Sequence, residues 1–396
     1  MKLNDRISTF WNVLALLLFA NAAKSAINDP KFHASLNSFS QNLFHQLYQT
    51  NGKENLIFSP FSIQTCLAMV RMGADGPTAV EMDQGLNFTG QSIDGIAKNY
   101  NALLGQYEDG KILKIANKVY VMKDFSLQNE YKEILSQKFY SSAESMDFEK
   151  SEEAAKTINS WVASKTDDAI EELVEPMDLS SDTRLMLLSA IYFKGDWEKP
   201  FDAKNTKEEE FFVDEDQSIK VQMMYRAGMI DYSKIEELDA TAVRLPYKDS
   251  DLSMVIILPN ARNGLAAMEA KLETMSLTLL SEKLNRARGT RLYLPKFKVE
   301  FTVNLNAALI KMGMKQMFSQ ANLGKMLQQH EPLQVSDVVH KAIIDVNEWG
   351  TTAAGITRAG IMTRTRAMIF RADHPFYYVI MNADTVPLFQ GTFVGA

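Results

Sequence analysis

The sequence predicts an α+β fold on three observations. Helical periodicity fills the early part of the chain, strand-like runs fill the later part, and no regular βα alternation joins them. Large mixed or antiparallel sheets follow from that order. The 396 residues, 46% hydrophobic and 23% charged, are ordinary globular values and leave room for one large domain or two average ones.

In chain order, the N-terminus reads as a secretory signal: Lys2 and Arg6 precede the apolar run Val13 to Ala20, and Ala20-Asn21-Ala22 is a small-x-small cleavage site. The run is too short to span a bilayer, which takes about 20 apolar residues. The expected division is a signal peptide at 1–22 and a single domain at 23–396. Loss of Lys2, Arg6 and Asp5 leaves the remainder one unit more negative than −7. That charge argues against nucleic acid and anionic membrane as partners.

Phe39, Leu43, Phe44, Leu47 and Tyr48 form a helical stripe after His33 to Ser38, and Ile63, Cys66, Leu67 and Val70 form another that ends near Gly73. A third, Ala154, Ile158, Trp161, Val162, Ala169 and Leu173, follows an acidic start. Strand-like runs are "KILKIANKVYVM", "LMLLSAIYF", "DLSMVIILP", "TRLYLPKFKVEF" and "FYYVIMN"; the second is continuously apolar and fits a central strand covered on both faces. Cys66 is the single cysteine, so no intrachain disulfide exists, and it reads as a buried small hydrophobe. Asn87-Phe88-Thr89 is the one glycosylation sequon.

Catalytic and cofactor signatures are missing. The five histidines, His33, His45, His330, His340 and His374, show no metal-ligand spacing. There is no dinucleotide fingerprint, phosphate loop or GxSxG turn, so no metal or cofactor is expected and no enzyme is indicated.

Seven segments, spread from about residue 31 to the C-terminus, together resemble the serpin family. They are "NLIFSPFSIQTCLAMVRMGA", "INSWVASKTDDAI", "LLSAIYFKGDWEKPF", "LYLPKFKVEF", "VSDVVHKAIIDVNEWGTTAAG", "ADHPFYYVI" and "PLFQGTF", in family order. The resemblance implies three β-sheets, about nine helices and an exposed reactive loop at about 348–370. A protease cleaves that loop, which then inserts as a strand into the main sheet and traps the protease as an acyl-enzyme. It also implies a shutter at Ser59, Ser62, Ser189 and His340, and a breach at Trp197.

Within "NEWGTTAAGITRAGIMTRTRAMIF", the family's hinge matches Glu348 and Gly350. The family's bait lies sixteen residues after that glutamate and eleven before a proline matched by Pro375; both counts reach Arg364, so the expected scissile bond is Arg364–Thr365, with Arg366 the alternative. Arginine at the bait implies a trypsin-like serine protease as partner, because such enzymes place a carboxylate in the specificity pocket. Thr351, Ala353, Gly355, Thr357, Ala359 and Ile361 form one strand face, uncharged and mostly small; Thr352, Ala354, Ile356, Arg358 and Gly360 form the other. The only charge before the bait is therefore kept off the face that would enter the sheet.

The sequence also departs from the family pattern. Thr352 replaces a glutamate, Ile356 a small residue, and Trp349 a small or charged one, which supports the alternative of a non-inhibitory carrier or storage serpin. Ser189 stands where an asparagine is usual. The cluster Arg286, Arg288 and Arg291 reads as a solvated face rather than a glycosaminoglycan site, and a monomer is expected.

Overall fold

The computed structural model describes residues 29–329, 332–350 and 368–395. Helix α1 (Pro30–Asn51) starts where the Asp29 carboxylate accepts the amides of Lys31 and Phe32, with Pro30 at the first helical position. The stripe Phe39, Leu43, Phe44 and Leu47 is buried, and the helix also takes in His33 to Ser38, which the sequence stripe left outside. Helix α2 (Pro60–Gly73) repeats the device, with Ser59 capping the Ser62 amide ahead of Pro60. Four more helices follow: α3 (Gly76–Gly85), α4 (Ile93–Gly105), α5 (Asn129–Phe139) and α6 (Ser151–Thr166). Helices α7 (Leu265–Leu272), α8 (Leu277–Lys283) and α9 (Asn306–Lys311) complete the nine among the described residues.

Helix α6 is shorter than its stripe suggested. Asp167 and Asp168 take left-handed conformations (φ 51° and 59°), which end the helix before Ala169 and Leu173. The Thr166 hydroxyl group accepts the Ile170 amide and bends the chain back, so Leu173 is buried from a non-helical segment. The run "TRLYLPKFKVEF" likewise divides into two strands at Lys296, directly after Pro295, which has no amide to donate to a ladder.

The main sheet has five strands in the order β10 (Phe297–Asn304), β11 (Asp337–Val346), β4 (Leu185–Phe193), β2 (Leu113–Met122) and β3 (Ser142–Met146). The central pair β11 and β4 is parallel, from Asp337↔Met186 to Ile343↔Tyr192, while β10 and β2 flank it antiparallel. The nine remaining strands make one hydrogen-bonded sheet. These are β1 (Leu56–Phe58), β5 (Lys207–Phe212), β6 (Ser218–Ile235), β7 (Ala240–Pro246), β8 (Ser253–Pro259), β9 (Asn285–Pro295), β12 (Ile369–Arg371), β13 (Phe376–Met381) and β14 (Pro387–Phe393). Its two halves meet in the long β6, which pairs with β9 on one side and, at its two ends, with β5 and β7 on the other, so two of the three implied sheets are continuous here.

Strand β4 explains its own apolar run. Leu185, Leu187, Ile191 and Phe193 enter the large core shared with α2 and the nine-stranded sheet, while Met186, Leu188 and Ala190 enter a second core beneath Ile158 and Val162 of α6. Both faces are covered, so strict alternation is lost.

Candidate functional site

Register places the polar cluster. His340 on β11, Ser189 on β4 and Asn117 on β2 lie in one row across three strands. The start of α2 meets that row from the core side. The Ser59 amide donates to His340 Nε2 (3.0 Å). The Ser59 N–H can only donate, so Nε2 carries no proton and the ring proton is on Nδ1. The rest of the chain is then directed. His340 Nδ1 donates to Ser189 Oγ (2.9 Å), Ser189 Oγ donates to Ser62 Oγ (3.0 Å), and Ser62 Oγ donates to Asn117 Oδ1 (2.8 Å). Ser59, Ser62, Ser189 and His340 are fully buried. Burial pushes the His340 imidazole down to about 3, so it stays neutral and serves as a structural relay rather than an acid or base. This network ties β11 to β4 and both to α2.

A second cluster closes the upper end of the same strand pair. The Trp197 indole stacks on Tyr247 (centroids 4.6 Å apart, 15° between planes), and its Nε1 donates to the Asn347 carbonyl (3.0 Å). The Trp197 and Phe201 amides donate to the carbonyls of Trp349 (2.7 Å) and Glu348 (2.8 Å). The buried Glu348 carboxylate accepts from Thr206 Oγ1 (2.8 Å) and pairs with Lys296 (2.9 Å). Burial works to raise the Glu348 carboxyl, but Lys296 and Thr206 outweigh it and hold it below the usual range.

Gly350 is the decisive position. Its backbone exchanges hydrogen bonds with Asn347 (2.9 and 3.3 Å), making Glu348-Trp349 a two-residue turn, and it is also bridged antiparallel to Asp196. It thus lies between the continuation of β11 and the continuation of β4. Its φ is +134°, and a Cβ there would stand 2.2 Å from the Gly195 carbonyl oxygen, so only glycine fits. The chain is turned back toward the parallel pair where residues 351–367 begin, and it returns at Met368, whose carbonyl accepts the Arg291 amide (2.8 Å).

The family model Serpin (serine protease inhibitor) matches residues 34–395. The chain belongs to the serpin family. Serine protease inhibitor 42Dd of Drosophila melanogaster is 38% identical over 90% of this chain and 95% of its own length. Antitrypsin of Bombyx mori is 32% identical over 96% and 99%. A solved structure of cleaved Serpin 42Da is 42% identical, with a TM-score of 0.84 over 92% of this chain and 98% of that one.

In this serpin the expected shutter residues Ser59, Ser62, Ser189 and His340 meet in one network, and Trp197, expected at the breach, meets the Asn347–Gly350 turn that holds the expected hinge residues Glu348 and Gly350. The bait residues Arg364, Thr365 and Arg366, and the hinge residues Thr351, Ala353, Ala354, Gly355 and Thr357, lie outside the described residues, as do Thr352, Ile356, Arg358, His330 and residues 1–28. Sequence reasoning missed Asn117. Ser189 reaches both His340 and Ser62, and Asn117 on the neighbouring strand extends the chain of bonds from Ser62. It also missed Lys296 and Thr206; a buried glutamate beside the hinge needed partners, but nothing in the spacing named them.

Trp349 occupies the two-residue turn between Asn347 and Gly350. Cys66 is buried and its thiol is pushed up to about 12 by burial, which makes it inert. Asn87 is half-buried with φ 56°, and its Nδ2 is shielded without a partner among the described residues, so a glycan there requires the amide to turn outward. Arg286, Arg288 and Arg291 are exposed, and Arg286 is held by Asp231 (3.4 Å).

Proposed function

We propose that this serpin is a secreted, monomeric suicide inhibitor of trypsin-like serine proteases, cleaved at Arg364–Thr365. The protease serine Oγ attacks the Arg364 carbonyl carbon, the amide breaks, and the Thr365 amine leaves with the proton. An ester joins Arg364 to the enzyme, and insertion of the loop has to outrun its hydrolysis.

The observation that carries this reading is the double bridge at Gly350. The bridges to Asn347 and to Asp196 fix two antiparallel registers, one along β11 and one along β4. The two registers agree, because β11 and β4 are already paired with His340 opposite Ser189. A strand that continued these registers would bring Thr357 between Ser189 and His340. On that proposed insertion Thr351, Ala353, Gly355, Thr357 and Ala359 would face Val346, Ile344, Ala342, His340 and Val338, which are all at 1% exposure or less. The small, uncharged set therefore meets the packed face. Its twelve or so new ladder bonds, each contributing about 0.5–1.5 kcal/mol net, supply the driving force. The arginine at 364 and the 32% identical antitrypsin of Bombyx mori support a trypsin-like target. The apolar run before Ala22 supports secretion, and the sequon supports a glycan on Asn87.

Incubation with trypsin tests the reading. The expected result is an SDS-resistant complex whose released fragment begins at Thr365, and its loss in Arg364→Ala. Cleaved protein without complex or lasting inhibition would overturn it in favour of the carrier or storage alternative that Thr352 and Ile356 suggest. N-terminal sequencing of the native secreted protein, expected to start at Ala23, tests the signal peptide.

A further inference from the structure

The long β6 has a gap along one edge. β5 pairs with it as far as Met223 and β7 takes over only at Asp231, so no strand lies beside that edge from Met224 to Ile230. On the other edge its ladder with β9 is interrupted between Gly228 and Ile230, and such interruptions re-aim side chains. Glu198 and Lys199, next after Trp197, stand in the gap. The Glu198 amide donates to the Pro246 carbonyl (2.9 Å), and the Lys199 carbonyl accepts from Arg226 Nη1 (2.8 Å). A recess of about 20 Å³ is left among Glu198, Lys199, Arg226, Asp231, Arg244 and Arg286. One water takes roughly 10–15 Å³, so the recess admits an oxygen of a larger group rather than the whole of it.

Four cations and two carboxylates meet there, and their pairing is uneven. Asp231 lies in one row with Arg244 and Arg286 across β7, β6 and β9 and is shared between them (4.0 and 3.4 Å). Arg244 is further held by the Ser281 carbonyl (2.7 Å) and hydroxyl (2.5 Å). Glu198 lies 4.0 Å from Lys199. Arg226 forms no ion pair with a described residue. Its guanidinium lies over the Phe201 ring (5.3 Å), but its Nε is buried without an acceptor. Leaving a buried donor of a charged group unsatisfied is costly. Burial pushes the Arg226 guanidinium down to about 10 against the pull of Glu198, so it keeps its charge at neutral pH.

We propose that this recess is a binding site for a small oxyanion, phosphate or sulfate, held on the fork of Arg226. Nε and Nη2 of a guanidinium donate in parallel and match two oxygens of such a group. Nη1 is already committed to the Lys199 carbonyl, which leaves that other edge of the fork for the anion. Lys199 and Arg286, each with half or more of its side chain exposed, add positive charge where the rest of the anion projects. A water accepts from Nε but leaves the charge uncompensated, and only an anion answers both. The site also touches the hinge turn through the chain. Arg226 holds the Lys199 carbonyl, and the Trp197 and Phe201 amides on either side hold the carbonyls of Trp349 and Glu348. An occupied recess therefore steadies the segment that grips the start of the loop. None of this depends on which protease is trapped.

Calorimetric titration of the intact protein with inorganic phosphate, and separately with sulfate, in chloride buffer of fixed ionic strength tests this. One equivalent should bind, with a Kd of about 1 mM or tighter. Arg226→Gln should weaken binding by about tenfold or more, and Arg226→Lys, which keeps the charge but loses the fork, by a similar factor. Arg286→Gln changes only an exposed rim residue, so it folds even if the Arg226 variants do not, and it should bind about two- to fivefold more weakly. No saturable binding of either anion to the wild type would overturn the site, because water or chloride then suffices there. Wild-type affinity in Arg226→Lys and in Arg286→Gln would overturn it as well. Neither result bears on the trapping of trypsin, which is measured separately.

Discussion

Ser189 on β4 and Asn117 on β2 stand directly opposite each other, and the Ser62 hydroxyl joins them by accepting from one (3.0 Å) and donating to the other (2.8 Å). The network that holds the parallel pair closed is therefore spread over three strands and a helix start, and each member has a distinct consequence.

Asn117→Ala leaves the Ser62 hydroxyl group without its acceptor in a buried site. The expected loss is about 1–3 kcal/mol of intact-form stability, read as a lower denaturant midpoint. Ser62→Ala in that background should cost much less than Ser62→Ala alone.

His340 gives the intact form a pH dependence of known sign. Its folded value, about 3, lies below the ordinary 6.5, so its contribution is complete above 6.5 and is lost as pH falls toward 3. Stability measured from pH 8 to 4 should fall less steeply in His340→Gln than in the wild type. An unchanged slope would mean that the imidazole is not the group responsible.

Gly350→Ala should damage function more than fold. The added Cβ meets the Gly195 carbonyl at 2.2 Å, and φ +134° is strained for any L side chain, at about 1–3 kcal/mol. On the proposed insertion, displacing this residue would disturb the point where the loop has to enter the sheet. More inhibitor should be consumed per protease trapped, seen as a higher ratio of cleaved product to complex.

Glu348→Gln keeps the shape of the hinge side chain and removes the ion pair with Lys296. The Glu348 carboxyl is depressed, so the pair stabilises the intact form above the ordinary carboxylate range and is lost as pH falls through the lowered value. At neutral pH the variant should unfold at lower denaturant. At acid pH the gap between variant and wild type should close.

Much of the fold was legible in the chain. The stripes of α1 and α2, their Asp29-Pro30 and Ser59-Pro60 starts, and the apolar run of β4 depend on neighbours within a turn or on alternation along a strand, and sequence carries those directly. The end of α6 was not legible, because it is set by two aspartates in left-handed conformations and a threonine hydroxyl that binds a later amide. The site divided in the same way.

By itself the sequence determined the family and singled out Ser59, Ser62, Ser189, His340, Trp197 and Gly350, since these sit in segments whose order and spacing are continuous along the chain. Only the tertiary structure decided that Asn117 joins the Ser62, Ser189 and His340 network, that Lys296 and Thr206 hold Glu348, and that Gly350 is bridged to the continuations of both β11 and β4. Those relations join residues far apart in sequence. They depend on strand register, where a shift of one residue turns every side chain to the opposite face, and no local pattern encodes that choice.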